Sequence, residues 1–171
     1  MTYTIPNQMN GIQLIAHGGT DQLLLKTAIN VPTLHADEVL IKVAAAGINN
    51  TDVNTRLGWY SKKVTSQTNS GGKEGFETVD DDDATWSGVP MMFPRIQGAD
   101  CCGIIVKTGA KIDPSRIGER VLVKPIMRHY CDYRPYECWT FGSECDGAFA
   151  QYTKAPAAET YTVNSDWSDS Q

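Results

Sequence analysis

One stretch limits this chain more than any other: Phe93 to Gly109, Phe-Pro-Arg-Ile-Gln-Gly-Ala-Asp-Cys-Cys-Gly-Ile-Ile-Val-Lys-Thr-Gly. It opens on a proline, crosses Gly98, and then runs as an apolar Ile-Ile-Val segment between Gly103 and Gly109, the pattern of a strand bounded by turns. Small residues fill its first half, and glycines at 98 and 103 let another backbone come close. Cys101 and Cys102 are adjacent and so point to opposite faces of such a strand, which favours packing over redox chemistry.

Other segments fit beside it. Gly11–His17 and Gln22–Ala28 read as two strands joined at Gly18-Gly19, a hairpin signal. Residues 30–36, with Pro32, read as loop. Glu38–Ile48 is the strongest strand of the first half, apolar at 39, 41 and 43, and Gly47 releases the chain into a turn. Asn50 or Thr51 then caps a short helix through Leu57, and Gly58 ends it. That helix places Asp52 and Arg56 four apart, a spacing at which opposite charges pair. Ile117–Val123, Gly147–Thr153 and Thr160–Val163 supply further short strands. Many short strands and few helices predict a mainly β chain folded as a barrel or sandwich. There is no internal repeat.

Composition narrows the partners. A chain of 171 residues can bury one proper core, and its 41% apolar and 20% charged residues are those of a globular domain. A net charge of −5 without any Lys/Arg cluster argues against nucleic acid. No apolar run approaches a membrane span. The first residues lack a basic and an apolar signal region, and five cysteines at irregular spacing suit a reducing compartment, so a cytoplasmic protein is expected. Residues 61–92 change character: polar residues dominate, and Asp80–Asp83 is an unbroken acidic run. This predicts a flexible, solvated insertion, with Trp86 and Met91-Met92-Phe93 docking its end on the body. The run lacks the alternating ligands of a calcium loop. His17 and His35 read as surface residues.

Four motifs in order, Gly47-Ile48-Asn49, Pro94 to Gly103, Gly118-Glu119-Arg120-Val121 and Asp146-Gly147-Ala148-Phe149-Ala150-Gln151-Tyr152, resemble the medium-chain dehydrogenase/reductase superfamily of zinc alcohol dehydrogenases and zinc-free quinone oxidoreductases. The resemblance covers nearly the whole chain. It implies that residues 1–171 form the GroES-like, partly open β-barrel that is the catalytic domain of those enzymes.

The departures carry as much information. In the zinc enzymes a Cys at the turn and a His in a Gly-His-Glu motif help hold the metal; here Asn49 and Ala99 stand in those places. An amide and a methyl group cannot replace thiolate and imidazole, so no catalytic zinc is expected. Asn49-x-x-Asp52, followed by Arg56-Leu57-Gly58, instead resembles the zinc-free quinone oxidoreductases. That likeness implies Asn49 and Asp52 as catalytic residues, and Asn49, Arg56 and Tyr60 as cofactor-binding ones. The plainer alternative, that Asn49 and Asp52 simply cap the helix, stays open beside it.

His129, Cys131, Cys138 and Cys145 occupy the place of the family's structural zinc lobe, but without tight Cys-x2-Cys pairs; buried free thiols are the expectation, and metal binding there stays open. Arg128 and Arg134 could reach a cofactor phosphate or a partner domain. No Gly-x-Gly-x-x-Gly βαβ unit occurs, so the Rossmann domain is absent and the chain reads as a truncated catalytic domain. NAD(P)H is therefore expected only together with the missing nucleotide-binding domain. The expected partners are that domain and a small-molecule substrate, a carbonyl, alcohol or activated alkene, with a homo-oligomer left open. The fragment alone is expected to be inactive. The rival reading is a free-standing GroES-like binding or scaffold module.

Overall fold

The run Val-Leu-Ile-Lys-Val is apolar on both sides because the strand that contains it is covered on both faces. In the computed structural model, which describes residues 3–76, 79 and 84–171, this is strand β3, Glu38–Gly47. Val39 and Ile41 enter one core cluster with Ile105, Val121, Val123 and Phe141. Leu40, one residue out of phase, enters a second with Met9, Ile96, Val106 and Tyr152. Successive side chains of a strand alternate in direction, so one short run feeds two cores.

The first sheet is the expected hairpin. β1 (Gln8–Leu14) pairs antiparallel with β2 (Leu23–Asn30), and β4 (Arg95–Ile96) adds to the other side of β1. The second sheet has five strands in the order β10-β6-β5-β3-β9. Here β5 is Asp100–Thr108, β6 Arg120–Val123, β9 Tyr152–Pro156 and β10 Thr160–Thr162. The β3–β5 ladder shifts register between Leu40 and Ile41 and again between Val43 and Ala45. Such irregularities bend and twist a sheet, which lets this one curl toward the hairpin. The mainly β expectation holds.

Some boundaries differ from expectation. Residues 147–151 make no strand of their own. Gly147 and Phe149 donate N–H groups to Ile96 and Gln97, and Ile12 donates to Phe149. The Gln151 carbonyl accepts from Val43 of β3, so the segment stitches the two sheets together, and β9 starts only at Tyr152. Two short strands, β7 (Ile126–Met127) and β8 (Trp139–Thr140), pair within the tyrosine- and cysteine-rich lobe, where no periodicity announced them.

Cys101 and Cys102 are both buried, on opposite faces as expected: Cys101 joins the first core, while the Cys102 thiol lies 3.7 Å from Asp169. Arg120 fastens that end of the chain, bonding the carbonyls of Ser165 and Trp167 at 3.0 and 2.7 Å and Asp169 at 2.7 Å. Of the 61–92 segment, Ser61, Ala84, Thr85 and Met91 are buried in the body, whereas Asp80–Asp83 lie outside the described residues. Among the described residues, no helix is long and apolar enough to cross a membrane.

Candidate active site

The chain leaves β3 at Gly47 and turns into helix α1, Asn50–Leu57. Its cap is Asn49, not Asn50 or Thr51: Asn49 has extended backbone angles, and its N–H donates to Asp52 Oδ2 at 2.8 Å. This is the half of a capping box in which the third helical residue reaches back to the cap. Gly58 closes the helix in the left-handed region at φ 74°, as its place after Leu57 suggested.

Asp52 does more than cap. Its other carboxylate oxygen accepts the N–H groups of Gly98 and Ala99 at 3.0 and 3.1 Å, and its carbonyl accepts from Gln97 Nε2 at 2.9 Å. One buried side chain therefore fixes the helix start against the turn before β5. Gly98 sits at φ 105°, and a Cβ there would lie 2.8 Å from the Phe149 backbone nitrogen, so the turn is built for glycine. Burial pushes the Asp52 carboxyl above its ordinary value, helped by the Asp100 charge; the three N–H donors oppose the shift without cancelling it. The Asp52–Arg56 pairing suggested by their spacing does not form: Asp52 is committed to backbone donors, and Arg56, buried, donates to the Gly18 carbonyl.

The clamp brings residues 49 and 99 to one hollow of about 220 Å³, lined also by Tyr60, Trp86, Asp100 and Thr140. Asn49 Nδ2 donates to Asp100 Oδ2 at 3.1 Å. The Tyr60 hydroxyl meets Thr51 Oγ1 at 3.1 Å, and its ring takes Trp86 edge-on at a centroid distance of 5.2 Å. Trp86 thus docks as expected, though half of it stays exposed. Of the four residues singled out in the sequence, Asn49 and Tyr60 line the hollow, Asp52 supports it from behind, and Arg56 lies outside its lining.

Asp100, Thr140 and Trp86 were not foreseen as wall residues. Asp100 had a signal, since it follows Ala99 where the relatives' Gly-His-Glu motif has its acid. Thr140 had none, lying in a segment without periodicity.

The lobe residues go elsewhere. His129 Nε2 lies 2.8 Å from Asp37 Oδ2, Cys145 Sγ is 3.9 Å from Met127 Sδ, and burial pushes the Cys145 thiol up to about 12. Arg128 donates to the carbonyls of Tyr133 and Arg134, and Arg134 pairs with Glu137 at 2.8 Å, so both arginines brace the lobe. Among the described residues, no group of three or more His, Cys, Asp or Glu side chains converges as metal ligands would. His17 is not a surface residue: it is half-buried, its ring edge-on to Phe93 at 5.0 Å and its Nδ1 2.9 Å from the Thr55 carbonyl.

A capped helix, a glycine turn and a curled sheet meeting at one hollow define a fold with known relatives. The chain belongs to the alcohol dehydrogenase GroES-like domain family, whose profile matches residues 35–165. Among solved structures it is similar to a "putative alcohol dehydrogenase" from Sinorhizobium meliloti 1021, with 34% identity and a TM-score of 0.78, covering 97% of this chain and 43% of that one. It is 29% identical over 163 residues to sorbitol dehydrogenase of Bacillus subtilis, covering 90% of this chain and 38% of the relative. It is also 30% identical over 118 residues to an NADPH-dependent alkenal/one oxidoreductase of Arabidopsis thaliana, covering 69% of this chain and 24% of the relative. The chain thus spans less than half the length of each of these relatives.

Proposed function

We propose that this chain is the substrate-side catalytic domain of an NAD(P)-dependent oxidoreductase that acts on a carbonyl, alcohol or activated alkene without a catalytic zinc. The supporting observation is the chemistry of the hollow: Asn49, Tyr60, Thr140 and Asp100 offer amide, hydroxyl and carboxylate groups around Ala99, and none of the described lining residues is cysteine or histidine. Such a donor set does not fit a catalytic zinc, which takes thiolate or imidazole ligands and keeps one position open.

A nicotinamide cofactor, held mainly by a second domain, would supply or accept the hydride. This chain's residues do the positioning. Asn49 Nδ2 keeps a second N–H beyond the one given to Asp100, and with the Tyr60 hydroxyl it can donate to an oxygen that gains charge as hydride arrives. Asp52 holds both walls at a constant separation, and Trp86 over Tyr60 narrows the mouth and sheds water from the reacting bond.

Asn49→Ala in the enzyme that carries both domains should lower kcat about 100-fold, the usual cost of losing one donor to a developing oxyanion. Stability should fall by about 1 kcal/mol at most, since the backbone cap bond to Asp52 is kept and only the side-chain bond to Asp100 is lost. Unchanged kinetics would remove Asn49 from the reaction.

A further inference from the structure

A second cavity, of about 390 Å³, lies between the β1–β2 hairpin, strand β9 and the Tyr130–Cys145 lobe. It shares no lining residue with the hollow at Asn49. Its size is that of pockets that take small organic ligands. Met9, Ile29, Ile96, Trp139 and Tyr152 supply apolar and aromatic walls.

Of its polar groups, Lys154, Arg95 and Thr153 are donors with protons to spare, while the carboxylates of Glu38, Glu144 and Asp146 are already engaged. Lys154 spends one N–H on Glu38, at 2.9 Å, and Arg95 pairs with Asp146 at 3.0 Å through one nitrogen. Arg95 Nε and the hydroxyl of Thr153, a residue only 2% exposed, have no partner. Groups left so in a native interior call for an explanation, and a bound acceptor is one. The charges do not call for an ion: both cations already face carboxylates, and Glu144, the remaining acid, accepts the N–H groups of Ser87 and Thr140 at 2.8 and 2.7 Å.

We propose that this cavity is a binding site for a neutral, largely apolar molecule of one or two rings that carries a carbonyl acceptor, separate from the hollow at Asn49. The apolar body replaces water against Met9, Ile29 and Trp139, and the carbonyl oxygen accepts a hydrogen bond from the donors at the Lys154 end. An anion gains nothing over the existing carboxylates, and a cation would meet the ammonium and guanidinium groups.

The test is a titration of the 171-residue chain, carrying labelled Met and Ile methyl groups, with 1-indanone, indane, benzoate and benzylamine, read by NMR. 1-Indanone should shift the Met9, Ile29 and Ile96 methyl signals, give intermolecular contacts to Tyr152, and leave Ile126 in the other hollow unmoved. Indane, which lacks the acceptor, should bind about tenfold more weakly, the usual worth of a hydrogen bond from a charged donor. Benzoate and benzylamine should bind more weakly than 1-indanone. Ile29→Trp should fill the space and abolish the shifts; if that variant fails to fold, the intermolecular contacts in the unaltered chain decide. No shifts up to millimolar ketone, shifts centred on Ile126, equal binding of indane, or tighter binding of either ion would each overturn the proposal.

Discussion

Asp52 is the residue on which the candidate site turns. It joins helix and turn through three N–H groups, so its removal leaves buried donors unpaired rather than merely losing a contact. Asp52→Ala should cost about 3 kcal/mol, read by chemical denaturation, because Gly98 and Ala99 would lose their common acceptor. Asp52→Asn, which keeps one acceptor oxygen, should cost clearly less. Equal losses in the two variants would show that the clamp does not depend on those bonds. Asn49 differs: its backbone makes the cap bond, which bears out the cap reading, while its side chain is turned to Asp100 at the hollow and stays available for the site role proposed above.

At the scale of elements, strand β3 and helix α1 were readable because each announces itself locally. The apolar run marks the strand, and Asn, Asp and Gly at fixed offsets mark the helix ends. The hairpin was readable from its glycine turn. The lobe strands β7 and β8 were not, since each is two residues long and its pairing is decided by contacts such as Phe141 N–H to the Pro125 carbonyl. Nor was the fate of residues 147–151, whose alternation looked like a strand but whose hydrogen bonds go to two different partners. The same logic hid most of the cleft wall. Asn49 and Ala99 stood out by what they lack, while Thr140 reaches the wall only through tertiary folding.

Gly58 offers a clean element-scale prediction. A Cβ there would meet Val79 at 2.5 Å and force a left-handed residue, so Gly58→Ala should lower stability by at least about 1 kcal/mol, measured as a reduced denaturation midpoint. Ile105→Ala, a fully buried site in the first core, should cost more, about 3 to 4 kcal/mol. If Gly58→Ala proved the costlier of the two, the cores would not dominate the fold as described.

For the whole molecule, Glu38 links parts far apart in the chain. It is 1% exposed and accepts from the His35 N–H, Lys154 and the Tyr130 hydroxyl at 2.7, 2.9 and 2.8 Å, joining β3, β9 and the lobe. Burial alone would lift its carboxyl; the bonds from His35, Lys154 and Tyr130 outweigh that and hold it below the ordinary 4.5. A carboxyl lowered on folding stabilises the fold fully above its unfolded value and loses that contribution as pH falls through the folded one. Stability should therefore drop on acidification below 4.5. Glu38→Gln should flatten that acid limb while costing about 2 kcal/mol at neutral pH, as a hydrogen-bonded charge is lost. An unchanged acid limb would show that other carboxyls set it.

The central claim is that hydrogen-bonding side chains at Asn49 and Tyr60, not a metal, receive the substrate oxygen. The direct measurement is the turnover of the enzyme carrying both domains after exhaustive treatment with a zinc chelator, its metal content determined on the same sample. The account predicts full activity with far less than one zinc per chain. Activity that is lost with the metal and returns with added zinc would contradict it.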